Sequence, residues 1–175
     1  MSKKTLVLVF HPGLNTQSHV NKTLADAAAE LDNVTVRDEY ALYPDGKIDV
    51  AAEQAAIEAA DRVVFQFPLW WFSSPALLKT WEDEVLQHGW AYGSEGHAFE
   101  GKEFQVAVST GSPEANYQPD GANKFVIDQV LVPFQGTANY ISATWVKPFV
   151  TFGAFGITDE ALAEAAKNYQ AALAK

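Results

Sequence analysis

The chain reads as an open α/β fold: a five-stranded parallel sheet of order 2-1-3-4-5 with helices on both faces. Three observations predict it. Residues 5–10, 62–67 and 104–109 are continuous apolar-type runs, not alternating ones, as strands covered on both faces require. Segments of helical period stand between them, so strand and helix alternate along the chain. A length of 175 residues with 48% hydrophobic content suits one domain, residues 1–175, with a sizeable core.

Taken in order, residues 5–10 (Thr-Leu-Val-Leu-Val-Phe) form the first strand, and a turn-rich stretch follows from His11 to Gln17. Ser18 is placed to cap a helix with Val20, Leu24, Ala27, Ala28 and Leu31 at helical spacing. Residues 34–38 are a short second strand, and residues 40–47 are irregular around a Pro44-Asp45-Gly46 turn. An Ala/Glu-rich helix spans 50–60, and the third strand spans 62–67. Ser74 as N-cap and Pro75 as first helical residue open a helix to Gln87, with Leu77, Leu78, Trp81 and Val85 on one face. Residues 88–102, with four glycines, read as a long loop before the fourth strand. A second turn-rich loop spans 110–123. A helix over 124–132 is expected to stop at Pro133, and a fifth strand lies within 141–152, interrupted by Pro148. Thr158 or Asp159 caps a last helix with Leu162, Ala166, Tyr169 and Leu173 inward.

Composition narrows the function. A net charge of −10, from 12 basic and 22 acidic residues, disfavours nucleic acid and anionic membrane surfaces as partners. With no cysteine, disulfides, thiolate metal sites and cysteine nucleophiles are excluded. His11, His19, His88 and His97 are scattered, with no pair at i+3 or i+4, so no metal is expected. No run approaches the about 18 apolar residues of a membrane span, and the amino terminus has no cleavage signal. A cytoplasmic location is therefore expected. The acidic triplet at Glu82, Asp83 and Glu84 reads as a solvated helix face.

In this strand order the loops after strands one, three and four share the carboxyl edge of the sheet, where ligands bind. All three are unusual. In the first, Ser18, His19, Val20 and Asn21 surround a helix N-terminus, which serves either as ordinary capping or as an anion site built from free N–H groups. In the second, Pro68-Leu69-Trp70-Trp71-Phe72 places more aromatics past a strand end than a core can take. They line a pocket, form a satellite cluster or meet a partner. In the third, Ser109-Thr110-Gly111-Ser112 is either a plain β-turn or a place where Gly111, free to adopt φ > 0, lets backbone approach a ligand.

At these loops the sequence resembles the flavodoxin-like NAD(P)H:quinone oxidoreductase family. That family includes flavoprotein regulators of glutathione-gated potassium efflux and bacterial general stress NAD(P)H oxidoreductases. The resemblance rests on residues 67–81 (Phe-Pro-Leu-Trp-Trp-Phe-Ser-Ser-Pro-Ala-Leu-Leu-Lys-Thr-Trp) running on to Gly89-Trp90-Ala91-Tyr92-Gly93. It is supported by His11-Pro12, Ser18, Asn21, Ser109-Thr110-Gly111, Tyr117, Gly121, Asn123 and Pro133-Phe134. It implies a flavodoxin-like fold, a flavin cofactor (FMN, alternatively FAD), NAD(P)H as hydride donor, a quinone-like acceptor, ping-pong turnover and a homodimer. A regulatory or electron-carrier flavoprotein and an azo- or nitroreductase are the alternatives. By the resemblance, Ser18 and Asn21 hold the flavin phosphate and His11 lies near the pyrophosphate of FAD. Residues 68–72 meet the N5/O4 edge, with Trp71 and Phe72 beside the ring, and residues 109–112 meet the pyrimidine edge. Tyr117 is the tyrosine proposed to stabilise reduced flavin, Asn123 stands where the mammalian enzymes have a histidine, and Tyr92 reaches the partner's active site. Serine replaces the family's second glycine at position 112.

Overall fold

The computed structural model describes residues 3–175. Strands β1 (Thr5–Val9), β2 (Val34–Asp38), β3 (Arg62–Pro68) and β4 (Glu103–Ser109) run parallel in the order β2-β1-β3-β4. The fifth position is shared by two short strands, β5 (Thr144–Trp145) and β6 (Phe149–Thr151), both parallel to β4. The expected sheet order is thus correct, but the last strand is two. Pro148 has no N–H to give the ladder. The Gln105 side chain bridges the gap by donating to the Lys147 carbonyl at 2.8 Å.

Alternation within the buried strands divides the core. Leu6, Leu8 and Phe10 of the first strand and its continuation, with Val63, Phe65 and Phe67, face one side; Val7, Val9 and Val64 face the other. The second side is covered by α1 (Val20–Ala29) and α7 (Asp159–Leu173), through Leu24, Ala28, Leu162, Tyr169 and Leu173. The first side is covered by α3 (Val50–Glu58), α4 (Ala76–Val85) and α6 (Val132–Tyr140), through Ile57, Leu78, Trp81, Phe134 and Ala138. At its centre Phe65 meets Phe10, Trp81 and Phe104 edge-on, at centroid distances of 5.7, 5.1 and 4.7 Å.

Several local expectations change. The irregular stretch after β2 contains a one-turn helix, α2 (Glu39–Leu42), capped by the Asp38 carboxylate. Pro133 does not end a helix. A single turn, α5 (Ile127–Val130), precedes it, and Pro133 lies in the first turn of α6, where a missing N–H costs nothing. The long loop over 88–102 is anchored by fully buried Ala91 and Phe99. On α4, Asp83 and Glu84 are solvated as expected, but Glu82 is partly buried, and burial pushes its pKa up to about 7. No described helix is long and apolar enough to cross a membrane.

Candidate cofactor cleft

The loops that follow β1, β3 and β4 meet at the carboxyl edge and enclose a cleft of about 820 Å³, a volume suited to a small molecule. The first loop contributes His11 and residues 17–21, the second residues 68–72, and the third Ser109, Gly111, Ser112, Tyr117 and Asn123. Ala154 and Phe155, from the segment after β6, complete the rim. Of the residues singled out by sequence, Thr110 and Tyr92 do not line it. Thr110 is buried and donates its hydroxyl to the Ser112 carbonyl at 2.8 Å. Tyr92 meets His88 edge-on and Tyr140 at a tilt, outside the cleft.

In the first loop, the Gly13 carbonyl accepts from the N–H groups of Thr16, Gln17 and Ser18, which turns the chain into α1. The N-cap is His19, one residue later than expected. Its side chain makes no capping bond, and no acidic residue occupies the first turn. Ser18 instead accepts from the Lys22 N–H at 3.3 Å. The N–H groups of His19, Val20 and Asn21 have no acceptor among the described residues, so the helix dipole and three donors face the cleft. The Asn21 side-chain amide, unlike its backbone N–H, is engaged within the protein. The side chain is buried and donates to Ser109 Oγ at 2.9 Å, while the backbone carbonyl accepts from Gln66 Nε2 at 2.8 Å. His11 Nδ1 accepts from the Gly13 N–H at 3.1 Å, which leaves the ring proton on Nε2 in the neutral form. Burial lowers the pKa of His11, against smaller opposite pulls from a hydrogen bond with its own backbone and from the charge of Asp38.

The second loop is a tight hairpin. Trp70 and Ser73 exchange both backbone hydrogen bonds, at 3.0 and 2.9 Å, and Trp71 and Phe72 occupy the tip with φ of 50° and 60°. Two successive positive φ values define a type I′ turn, a conformation that favours Asn-Gly and strains bulky residues. The tip therefore displays two aromatics, Trp71 being 95% exposed, together with two N–H groups that have no acceptor among the described residues.

In the third loop, Gly111 does not use the positive φ open to it. What it supplies is room, since a Cβ there would lie 2.3 Å from Phe155 Cε2. Ser112 also avoids positive φ, so serine in place of the family's glycine introduces no backbone strain. The N–H groups of Gly111 and Ser112 likewise lack acceptors among the described residues. Tyr117 is buried beside Phe152, and burial holds its phenol above the ordinary pKa. No cluster that could hold a metal ion occurs among the described residues.

Gln17, Ala154 and Phe155 are the lining residues that sequence reasoning missed. The one available signal was a large aromatic between two glycines, Gly153 and Gly156.

A family model described as the flavodoxin-like fold matches residues 3–173. General stress protein 14 of Bacillus subtilis (strain 168) is 51% identical over 165 residues, 94% of each chain. The uncharacterized NAD(P)H oxidoreductase YdeQ of the same strain is 46% identical over 166 residues, 95% of this chain and 84% of its own. Among solved structures, general stress protein 14 of Treponema denticola in complex with FMN superposes with a TM-score of 0.91 at 46% identity, covering 97% of both chains. An NADPH-quinone reductase of P. pentosaceus gives 0.87 at 30%, covering 98% of both. A structure described as a thermophilic tryptophan halogenase of Streptomycin violaceusniger gives 0.95 at 49%, covering 97% of this chain and 98% of that one. Matches of this extent, over a sheet of this order, make the chain a member of the flavodoxin-like family that also holds these NAD(P)H oxidoreductases.

Proposed function

We propose that this chain is an FMN-dependent NAD(P)H oxidoreductase that reduces quinones or related electrophiles by two electrons. One observation carries the reading. Backbone N–H groups without acceptors among the described residues, at residues 19–21, 71–72 and 111–112, come from three separate loops that line a single cleft. Such a ring of donors beside exposed aromatics fits a flat, conjugated ligand with a terminal anion. The FMN complex of a relative supports FMN as that ligand.

The residues fit the group. The uncapped N-terminus of α1 would receive the phosphate without a basic side chain. The tip of the hairpin would offer the Trp71 and Phe72 N–H groups to one ring edge, and the Gly111 and Ser112 N–H groups would meet the other, where negative charge develops on reduction. The chemistry FMN supplies when bound is two-electron transfer, from NAD(P)H to a quinone, in the ping-pong order that one shared pocket imposes. Tyr117 would hold its proton through neutral pH and donate a hydrogen bond. Asn123 would add a second donor but no titratable proton. Trp71 stands ready to cover the substrate.

Trp71 and Phe72 at the cleft, and Phe125 and Tyr140 outside it, are all exposed, at 95, 50, 53 and 71%. A homodimer that covers them would bring Tyr92, which lies outside the cleft of its own chain, toward the partner's site. Light scattering at working concentration tests this, and a monomer would refute it.

For the activity, the purified protein is heated and the released flavin identified by chromatography, then NADH and NADPH oxidation is followed with menadione. FMN and acceptor-dependent turnover are expected. A protein that holds flavin but reduces none of several quinones would make it a carrier or regulator. Halogenated tryptophan as product, without quinone turnover, would replace the reading by the activity in one neighbour's description.

A further inference from the structure

We infer that Phe155 sets the length of cofactor the cleft accepts, admitting a mononucleotide tail and rejecting a dinucleotide one. The inference rests on the flavin reading and goes beyond it to the choice between FMN and FAD.

Phe155 is 96% exposed, yet it lines the cleft and is not loosely held. It sits inside a β-turn closed by the Gly156 N–H to the Gly153 carbonyl at 2.9 Å, and the turn relies on Gly153 at φ 70°. Three backbone hydrogen bonds pin the turn to the loop after β4. Thr110 donates to the Thr151 carbonyl at 3.0 Å, Ala154 to Thr110 at 2.8 Å, and Gly153 to Ser112 at 3.0 Å. The ring rests on Gly111, the one position in that loop where a Cβ would collide with it. It cannot retreat in that direction.

The chain then runs to the start of α7, where Asp159 comes within 3.5 Å of His19 Nε2 at the N-cap of α1. The segment from Gly153 to Asp159 therefore runs from the loop after β4, where the turn is pinned, to the uncapped helix N-terminus that would take the phosphate. A mononucleotide ends at that helix. A dinucleotide must continue past it with a second phosphate, a ribose and an adenine, and Phe155 stands on the cleft rim in the segment that leads to that helix. A large apolar side chain fully in water has no stabilising role in the isolated fold. Steric closure of the exit accounts for a ring held there by so much backbone.

The experiment uses the full chain as purified, incubated with an equal excess of FMN and FAD, desalted, and heated to release the bound flavin for chromatography. The wild type is expected to retain FMN over FAD by at least tenfold. Phe155→Ala is expected to shift the bound FMN:FAD ratio toward FAD by at least tenfold, and Phe155→Leu by less. Gly111→Ala, which pushes the ring into the cleft, is expected to weaken FMN retention, and Phe155→Ala in the same chain is expected to restore it. An unchanged FMN:FAD ratio in Phe155→Ala and Phe155→Leu, with flavin still bound, would overturn the inference and leave the flavin reading intact. A wild type that takes up neither flavin would overturn both.

Discussion

Asn21 Nδ2 donates to Ser109 Oγ at 2.9 Å, inside the protein, and so ties the first turn of α1 to the last residue of β4. The same residue's carbonyl is held by Gln66 of β3. Two of the cleft's walls are thus fixed through one asparagine. Ser109→Ala leaves the Asn21 amide without its acceptor and is expected to cost about 1–3 kcal/mol by urea unfolding. Flavin affinity is expected to fall with it, because the donors of the first loop lose their fixed distance from the third. Unchanged stability in Ser109→Ala would show that this bond does not tie the loops.

The hairpin at Trp71 and Phe72 holds two bulky residues at positive φ with little packing in return for Trp71. Replacing the pair by Asn-Gly, which this turn prefers, is expected to raise stability by about 1 kcal/mol while lowering flavin affinity. Strain kept at a binding loop predicts these opposite signs. A denaturation midpoint below that of the wild type would contradict it.

Glu39 and Glu53 are both fully buried and share one guanidinium, that of Arg37. Glu53 also accepts from Tyr43 Oη at 2.6 Å and from Trp81 Nε1 at 3.0 Å, whereas Glu39 Oε2 has no partner among the described residues. The excess proton therefore sits on Glu39. Burial, and next the charge of Glu53, push its pKa from 4.5 up to about 8. The folded state binds this proton more tightly than the unfolded chain does, so its contribution to stability is complete below pH 4.5 and is lost as the pH rises through about 8. Partly buried Glu82, raised to about 7, acts with the same sign. Urea midpoints measured from pH 5 to 9 are expected to fall less steeply in Glu39→Gln than in the wild type. Parallel slopes would count against a protonated Glu39.

Tyr117 and Asn123 line the cleft without a histidine between them. Tyr117→Phe removes a hydrogen-bond donor and is expected to lower turnover about tenfold, a loss of about 1.4 kcal/mol of transition-state stabilisation. Asn123→His installs a group that titrates near pH 6.5 and is expected to add an inflection there to the pH–rate profile. The same profile in wild type and Asn123→His would separate position 123 from proton movement.

How much could be read in advance follows from the range of the interactions involved. The runs at Leu6–Val9 and Val63–Phe67 are apolar at every position because both faces of their strands are covered, so their placement and order were legible in the sequence. The aromatic stretch after β3 was also legible as misplaced for a core, because Pro68, Leu69, Trp70, Trp71 and Phe72 cannot all turn inward. The shape of its tip was not. Nothing in Trp-Trp-Phe-Ser announces a type I′ turn, which is imposed by the paired bonds between Trp70 and Ser73. Pro133 was legible as a helix boundary but not as a beginning, since proline is tolerated in a first turn and excluded from a helix interior for the same missing N–H.

The sequence by itself determined the strands, their order, the three loops that meet at one edge and the family they resemble, because these depend on local periodicity and on topological rules. Only the tertiary structure decided what each loop residue does there. It tied the Asn21 side chain to Ser109, gave Gly111 its reason in the ring of Phe155, and moved Tyr92 out of the cleft. Each of those outcomes is a contact between segments dozens of residues apart, and the packing that sets such a distance is not written in any one of them.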